Sequence, residues 1–258
     1  MNDPTPCSAC TPERDAVGRV RVWIGILVFV LGAVPGQGAA QSGDSAESRF
    51  CTAPGAQSLD ERGLRAVFCD ASPAVQTSLH AAHRSAFPVF YGAVPAAWAG
   101  AWALRDETDF TDAYRLTVVQ LTTFGVVTAL KRAVGRPRPY MTQPLVSRSS
   151  RYRAGREEGA FESFPSGHAS LSVALATSWS LSHPRWFVIA PSAVWATAVT
   201  VSRLHLGVHY PSDVLAGAVL GAGIATAVHL LRDTITPDAL TPEAAMINGP
   251  SVTIRVQL

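Results

Sequence analysis

Five apolar segments, at 86–104, 113–131, 168–182, 186–203 and 212–231, dominate the sequence. Each is too long for a strand, and none alternates apolar with polar residues, so helices are what remains. The expected fold is therefore all-α, a helical bundle. The segments mix Ala, Val, Leu, Thr and Ser and lie at or near the ~20 residues that span a bilayer. Charged residues make up only 16% of the chain against 48% hydrophobic. In the last segment Gly217 and Gly221 form a GxxxG spacing suited to close helix packing in lipid. A soluble bundle with helices buried on all sides would have a similar composition. The reading adopted is a membrane-embedded bundle.

The termini read differently. Arg14, Arg19 and Arg21 precede the short apolar run "WIGILVFVLGAV", and "GQGAAQS" follows with small residues at Gly38 and Ala40. Residues 1–40 are expected to be a signal peptide cleaved after Ala40, with an uncleaved signal anchor as the alternative. Residues 41–84 are expected to be a linker followed by a surface or interfacial helix, broken near Pro73, and residues 85–231 the helical core. The tail, 232–258, ends in "SVTIRVQL", which alternates like a strand and carries no evident chemistry. Cys7 and Cys10 lack a second pair for a zinc site. Cys51 and Cys69 fall in the exported part, where a disulfide is permitted.

The net charge of +2 is too small for a nucleic-acid binder. Its distribution is uneven, with eight of the twenty-one cations between Lys131 and Arg156. Within "KRAVGRPRP", six residues separate Lys131 from Arg138, and Pro137 and Pro139 stiffen the chain around Arg138. A guanidinium fork and an ammonium at a set distance suit a phosphate. A solvated basic loop is the plainer interpretation of that stretch alone.

Two more clusters follow. In "SFPSGHAS", Ser166 is a candidate helix N-cap and Gly167 permits close backbone approach to a ligand. The helix amides there would face an anion, with His168 on the rim. In "SRLHLGVHYPSD", Pro211 suits a first helical position and Asp213 falls in the first turn, where its carboxylate can turn towards His209. Bonding at one ring nitrogen would leave the other free as a nucleophile. Arg203 reaches the same space from the preceding helix. His205 and His209 also make an HxxxH, a zinc pair on a continuous helix, but Gly207 and Pro211 argue against continuity.

Together and in this order, "KRAVGRPRP", "PSGH" and "SRLHLGVHYPSD" resemble the three-part signature of the type 2 phosphatidic acid phosphatase superfamily, across about residues 85 to 231. That superfamily includes membrane lipid phosphatases, bacterial acid phosphatases and vanadium haloperoxidases. The resemblance implies a helical core with the three motifs at one end. It implies His209 as nucleophile forming a phosphohistidine, Asp213 orienting it, and His168 protonating the leaving oxygen. Lys131, Arg138, Ser166, Gly167 and Arg203 would hold the phosphoryl oxygens, with no metal and no cofactor. The partners implied are a membrane and a lipid phosphate or pyrophosphate: undecaprenyl pyrophosphate, phosphatidic acid, phosphatidylglycerophosphate or lipid A phosphate. The expected location is a bacterial inner membrane with the site facing the periplasm, reached because an outside start after Ala40 returns all three clusters to one side. A soluble periplasmic acid phosphatase and a vanadium-dependent haloperoxidase are the alternatives.

Overall fold

The computed structural model describes residues 49–52, 55, 58–70, 72–104, 107–149, 159–237 and 240. The expected export signal, the Cys7–Cys10 pair and the "SVTIRVQL" ending lie outside them. Among the described residues the elements of regular structure are helices: α1 (Leu59–Phe68), α2 (Pro73–Leu104), α3 (Glu107–Val134), α4 (Pro139–Thr142), α5 (Gly167–Ser182), α6 (Trp186–His205), α7 (Pro211–Leu230) and α8 (Arg232–Ile235). The five apolar segments correspond to α2, α3, α5, α6 and α7. Pro73 opens α2 rather than merely interrupting a surface helix. The boundary drawn between residues 84 and 85 therefore falls inside a single 32-residue helix.

The shortest of the five, α5, is the centre of the bundle. It packs against α7, α6 and α3, with further contacts to α2. None of its residues is exposed, which explains a helix without charged residues whose apolar positions form no single stripe. Its contact with α7 is backbone to backbone. A Cβ on Gly217 would lie 2.6 Å from the Ser166 carbonyl oxygen, and one on Gly221 would lie 2.1 Å from that of Ser170. The GxxxG spacing is thus the close-packing surface it looked like.

Among the described residues, three stretches are long and apolar enough to cross a membrane: Phe110–Thr142, Trp186–His205 and Pro211–Leu230. Large apolar side chains point outward from these helices and from α2, among them Tyr91, Leu121, Phe124, Val194, Leu215 and Val219. Apolar surface on this scale suits contact with lipid. Inside, polar pairs tie the helices: Trp195 Nε1 donates to Ser85 Oγ at 3.0 Å, and Trp98 Nε1 to Thr117 Oγ1 at 2.9 Å.

At one end of the bundle, a separate core of Phe50, Leu64, Phe68, Leu145, Leu204, Tyr210 and Val214 lies under α1. A disulfide joins Cys51 to Cys69 beside it, with the Cα atoms 5.7 Å apart. Here α6 stops at His205. Gly207 adopts φ +66, and a Cβ there would lie 2.8 Å from the Phe68 ring and 2.9 Å from Leu145. Both the dihedral and the space call for glycine. The break puts His205 at the end of one helix and His209 in the turn before the next.

Candidate active site

The chain leaves α3 just after Lys131 and runs beside residues 159–163. Arg138 N donates to the Ala160 carbonyl at 2.9 Å and Ser163 N to that of Arg136 at 3.0 Å. Pro139 then opens α4, with Arg138 at its extended N-cap. That placement turns the Arg138 side chain inward, where it is almost wholly buried. Its Nε donates to Gly159 O at 2.8 Å, and its Nη1 to Val208 O at 2.9 Å and His209 Nε2 at 3.0 Å.

Ser166 caps α5, its Oγ accepting from Ala169 N, and its own amide donates to Asp213 O at 3.0 Å. That bond brings the start of α5 to the start of α7. Gly167 follows. A Cβ there would meet Val127 at 3.6 Å and the Lys131 Cε at 3.8 Å, ordinary contact distances. Among the described residues no atom therefore demands glycine at 167, unlike at 221. The Lys131 ammonium donates to Glu162 O beside this helix end.

His209 and Asp213 are both buried. Because a guanidinium can only donate, Arg138 makes Nε2 of His209 an acceptor and puts the proton of the neutral ring on Nδ1. Burial, and then the Arg138, Lys131 and Arg203 cations, push the His209 pKa well below its ordinary value, so the ring is neutral. Nδ1 faces Asp213 Oδ2 at 3.7 Å, beyond hydrogen-bond length. The carboxylate has closer partners: Oδ2 accepts from Ser163 Oγ at 2.6 Å and Tyr210 N at 2.8 Å, and Oδ1 accepts from Arg136.

His168 projects from the first turn of α5 against Phe87 and Phe90, at ring separations of 5.0 and 5.6 Å. Its buried Nε2 meets no hydrogen-bond partner among the described residues. Arg203, buried at the end of α6, has its Nη1 2.8 Å from His83 Nδ1 on α2, and the His83 ring lies 6.0 Å from that of His168.

Residues 113–237, which carry all of these site residues except His83, Phe87 and Phe90, match the family model of the PAP2 superfamily. The likeness to that superfamily covers just under half of the chain. A lipid A 1-phosphatase of Rhizobium johnstonii is 40% identical over 94 residues, 36% of this chain and 36% of that one. A lipid A 4'-phosphatase of Bacteroides thetaiotaomicron is 39% identical over 93 residues, 36% of this chain and 40% of that one. The matched stretches thus span well under half of these curated relatives. The crystal structure of Aquifex aeolicus LpxE superposes with a TM-score of 0.54 at 20% identity, covering 66% of this chain and 94% of that one. That likeness concerns the fold.

Every candidate site residue read from the sequence lies at this one end of the helical core. Lys131, Ser166 and Gly167 meet around the start of α5, Arg138 touches His209, Asp213 accepts from the same loop, and Arg203 and His168 are linked by way of His83. Sequence reasoning passed over Arg136, Ser163, Ser212, Asp60 and His83. Arg136 carried a signal, standing two residues before Arg138 in the same stiffened stretch. Ser163, three residues before Ser166, carried none.

Proposed function

We propose that the protein is a membrane phosphatase that hydrolyses lipid phosphates or pyrophosphates through a phosphohistidine on His209. The observation that carries this reading is the buried His209 with Nε2 facing the Arg138 guanidinium at 3.0 Å. A phosphoryl group entering there would take Arg138, Lys131 and Arg203 on its oxygens, with the Ser166 hydroxyl and the Gly167 amide. His209 Nε2 attacks phosphorus as the bond to the leaving oxygen breaks, and His168, whose pKa burial and the Arg203 cation hold low and an incoming phosphoryl dianion would raise, gives that oxygen a proton. Water then loses a proton to His168 and attacks the phosphohistidine, releasing phosphate and restoring His209. Asp213, behind Nδ1, stabilises the positive charge the ring gains on attack. Fixed cations and amides facing developing negative charge supply the main stabilisation in phosphoryl transfer, and this chemistry needs no metal.

The names of the curated relatives favour lipid A phosphate as the first substrate to try. The Cys51–Cys69 disulfide beside the site supports a periplasmic orientation, since disulfides persist in oxidising compartments.

The test is phosphate release by the purified full chain in detergent, with a chelator present. The panel is lipid A, undecaprenyl pyrophosphate, phosphatidic acid, phosphatidylglycerophosphate and a soluble aryl phosphate. Release from at least one lipid, inhibited by vanadate, is expected. Loss of activity in chelator that zinc restores would replace this mechanism with a metal-dependent one. Activity on the soluble ester alone, in protein extracted without detergent, would favour a soluble acid phosphatase.

A further inference from the structure

The helix α1 lies outside the stretch that matches the PAP2 family model, yet it reaches into the site. Asp60 Oδ1 accepts from Ser212 N at 2.8 Å, and Oδ2 accepts from Ser212 Oγ at 2.6 Å and from Arg136 Nη2 at 2.7 Å. The other nitrogen of the same guanidinium, Nη1, donates to Asp213 Oδ1 and to Ser212 Oγ. Arg136 also lies over the Tyr210 ring, 4.5 Å from its centroid. One guanidinium is thus shared between two carboxylates from elements 153 residues apart in sequence (Asp60 and Asp213).

An acidic residue in the first turn of a helix has an ordinary explanation in the helix dipole, and α1 has two, Asp60 and Glu61. Three further contacts say that α1 is held for more than that. A Cβ on Gly63, one turn after Asp60, would lie 2.7 Å from Pro211 Cγ, so α1 rests directly on the first residue of α7. Glu61 accepts from Gln143 Nε2 at 3.0 Å. Leu64 and Phe68 are wholly buried against Tyr210 and Val214. Burial would raise the Asp60 pKa, but the hydrogen bonds from Ser212 and Arg136 outweigh it and hold the carboxyl below its usual range. Asp60 is therefore a charged partner of the network.

The electrostatic consequence follows from counting charges. Arg136 alone would neutralise the buried Asp213. With Asp60 also bound to Arg136, the three groups together carry one net negative charge, 3.7 Å behind the His209 ring. We propose that Asp60 is a positioning residue, holding Arg136 and Ser212 so that Asp213 keeps its place and its net negative field beneath His209. This rests on the phosphatase reading above for its kinetic consequence, though not for its geometric one. The field matters when the ring becomes positive on attacking phosphorus, so it should act on turnover and not on substrate binding.

The experiment compares Asp60→Asn, isosteric but uncharged, with the wild-type full chain in detergent micelles, and uses Glu61→Gln as a neighbouring control. Two things are read: kcat and KM on an aryl phosphate, and the 15N chemical shifts of His209 in histidine-labelled protein, assigned with His209→Gln. The expected result is a kcat lowered at least tenfold, KM within twofold, and a displaced His209 Nδ1 resonance, with Glu61→Gln like the wild type in all three. Ser212→Ala, which removes the hydroxyl between Asp60 and Arg136, should show the same pattern more weakly and serves if Asp60→Asn does not fold. An unchanged His209 resonance, or kcat falling only together with the thermal unfolding midpoint, overturns the proposal. If the resonance moves but the wild type releases phosphate from nothing, the phosphatase reading fails while the Asp60 link stands.

Discussion

Replacing Arg138 by Lys keeps the charge and removes the fork. In the structure one planar group serves three acceptors: Gly159 O at 2.8 Å, Val208 O at 2.9 Å and His209 Nε2 at 3.0 Å. A single ammonium cannot face all three directions from the Arg138 backbone. If it keeps one carbonyl, the bond on the His209 side is lost, where a phosphoryl oxygen would be gripped. A hydrogen bond to a charged group is worth about 1.5–3 kcal/mol. Losing one in the transition state corresponds to roughly a 10- to 150-fold fall in kcat. The buried carbonyl left without a donor should also lower stability, by about 1–3 kcal/mol. The assay is initial-rate kinetics on an aryl phosphate in detergent, with thermal unfolding alongside and exposed Arg132→Lys as the control. Turnover within twofold of wild type would refute the assignment of Arg138 to the phosphoryl oxygens.

The proposed catalytic histidines should fail differently: His209→Ala should form no phosphoenzyme with any substrate. His168→Ala should still be labelled by an activated aryl phosphate, whose leaving group needs no proton, but not by a lipid phosphate; rapid-quench labelling with both substrates checks this. Gly221→Ala should separate α5 from α7 and cost about 1–3 kcal/mol, since its Cβ would lie 2.1 Å from the Ser170 oxygen. Gly223→Ala, with nothing within 4 Å, should instead stabilise by about 0.5–1 kcal/mol, and unfolding midpoints in detergent compare the two. His209 has a folded-state pKa well below 6.5, so below pH 6.5 the unfolded chain binds a proton that the folded one does not. Stability should then fall as pH drops, by about 1.4 kcal/mol per pH unit for this one group. Unfolding curves between pH 5 and 7 should show a shallower slope in His209→Gln, and an equal slope would contradict a buried neutral ring.

Much of this site could be read along the chain because its parts are local. The Ser166 cap, the Gly207 break, Pro211 at the start of α7 and the spacing of Lys131 and Arg138 all depend on neighbours within a few residues. Backbone preference and hydrogen bonding act over such distances without help from the rest of the fold. The all-helical class was equally legible, since an apolar run too long for a strand has few other ways to satisfy its backbone. The centrality of α5, whose sequence looks like that of its neighbours, was not.

What only tertiary structure decided are the pairings across long separations. Asp60 meets Ser212 across 152 residues, His83 meets Arg203 across 120, and Ser163 meets Asp213 across 50. No periodicity marks such partners, because each obeys the rules of its own segment: Asp60 suits a first helical turn and His83 a mixed helix face. Asp213 shows the difference most plainly. Its position in the first turn of α7 was apparent from Pro211. That its carboxylate bonds to Ser163, Tyr210 N and Arg136, and lies 3.7 Å from His209, depends on which elements the packing of α1, α5 and α7 brings to that point. The sequence permitted a Cys51–Cys69 disulfide in the same way, and the folded chain placed the two Cα atoms 5.7 Å apart.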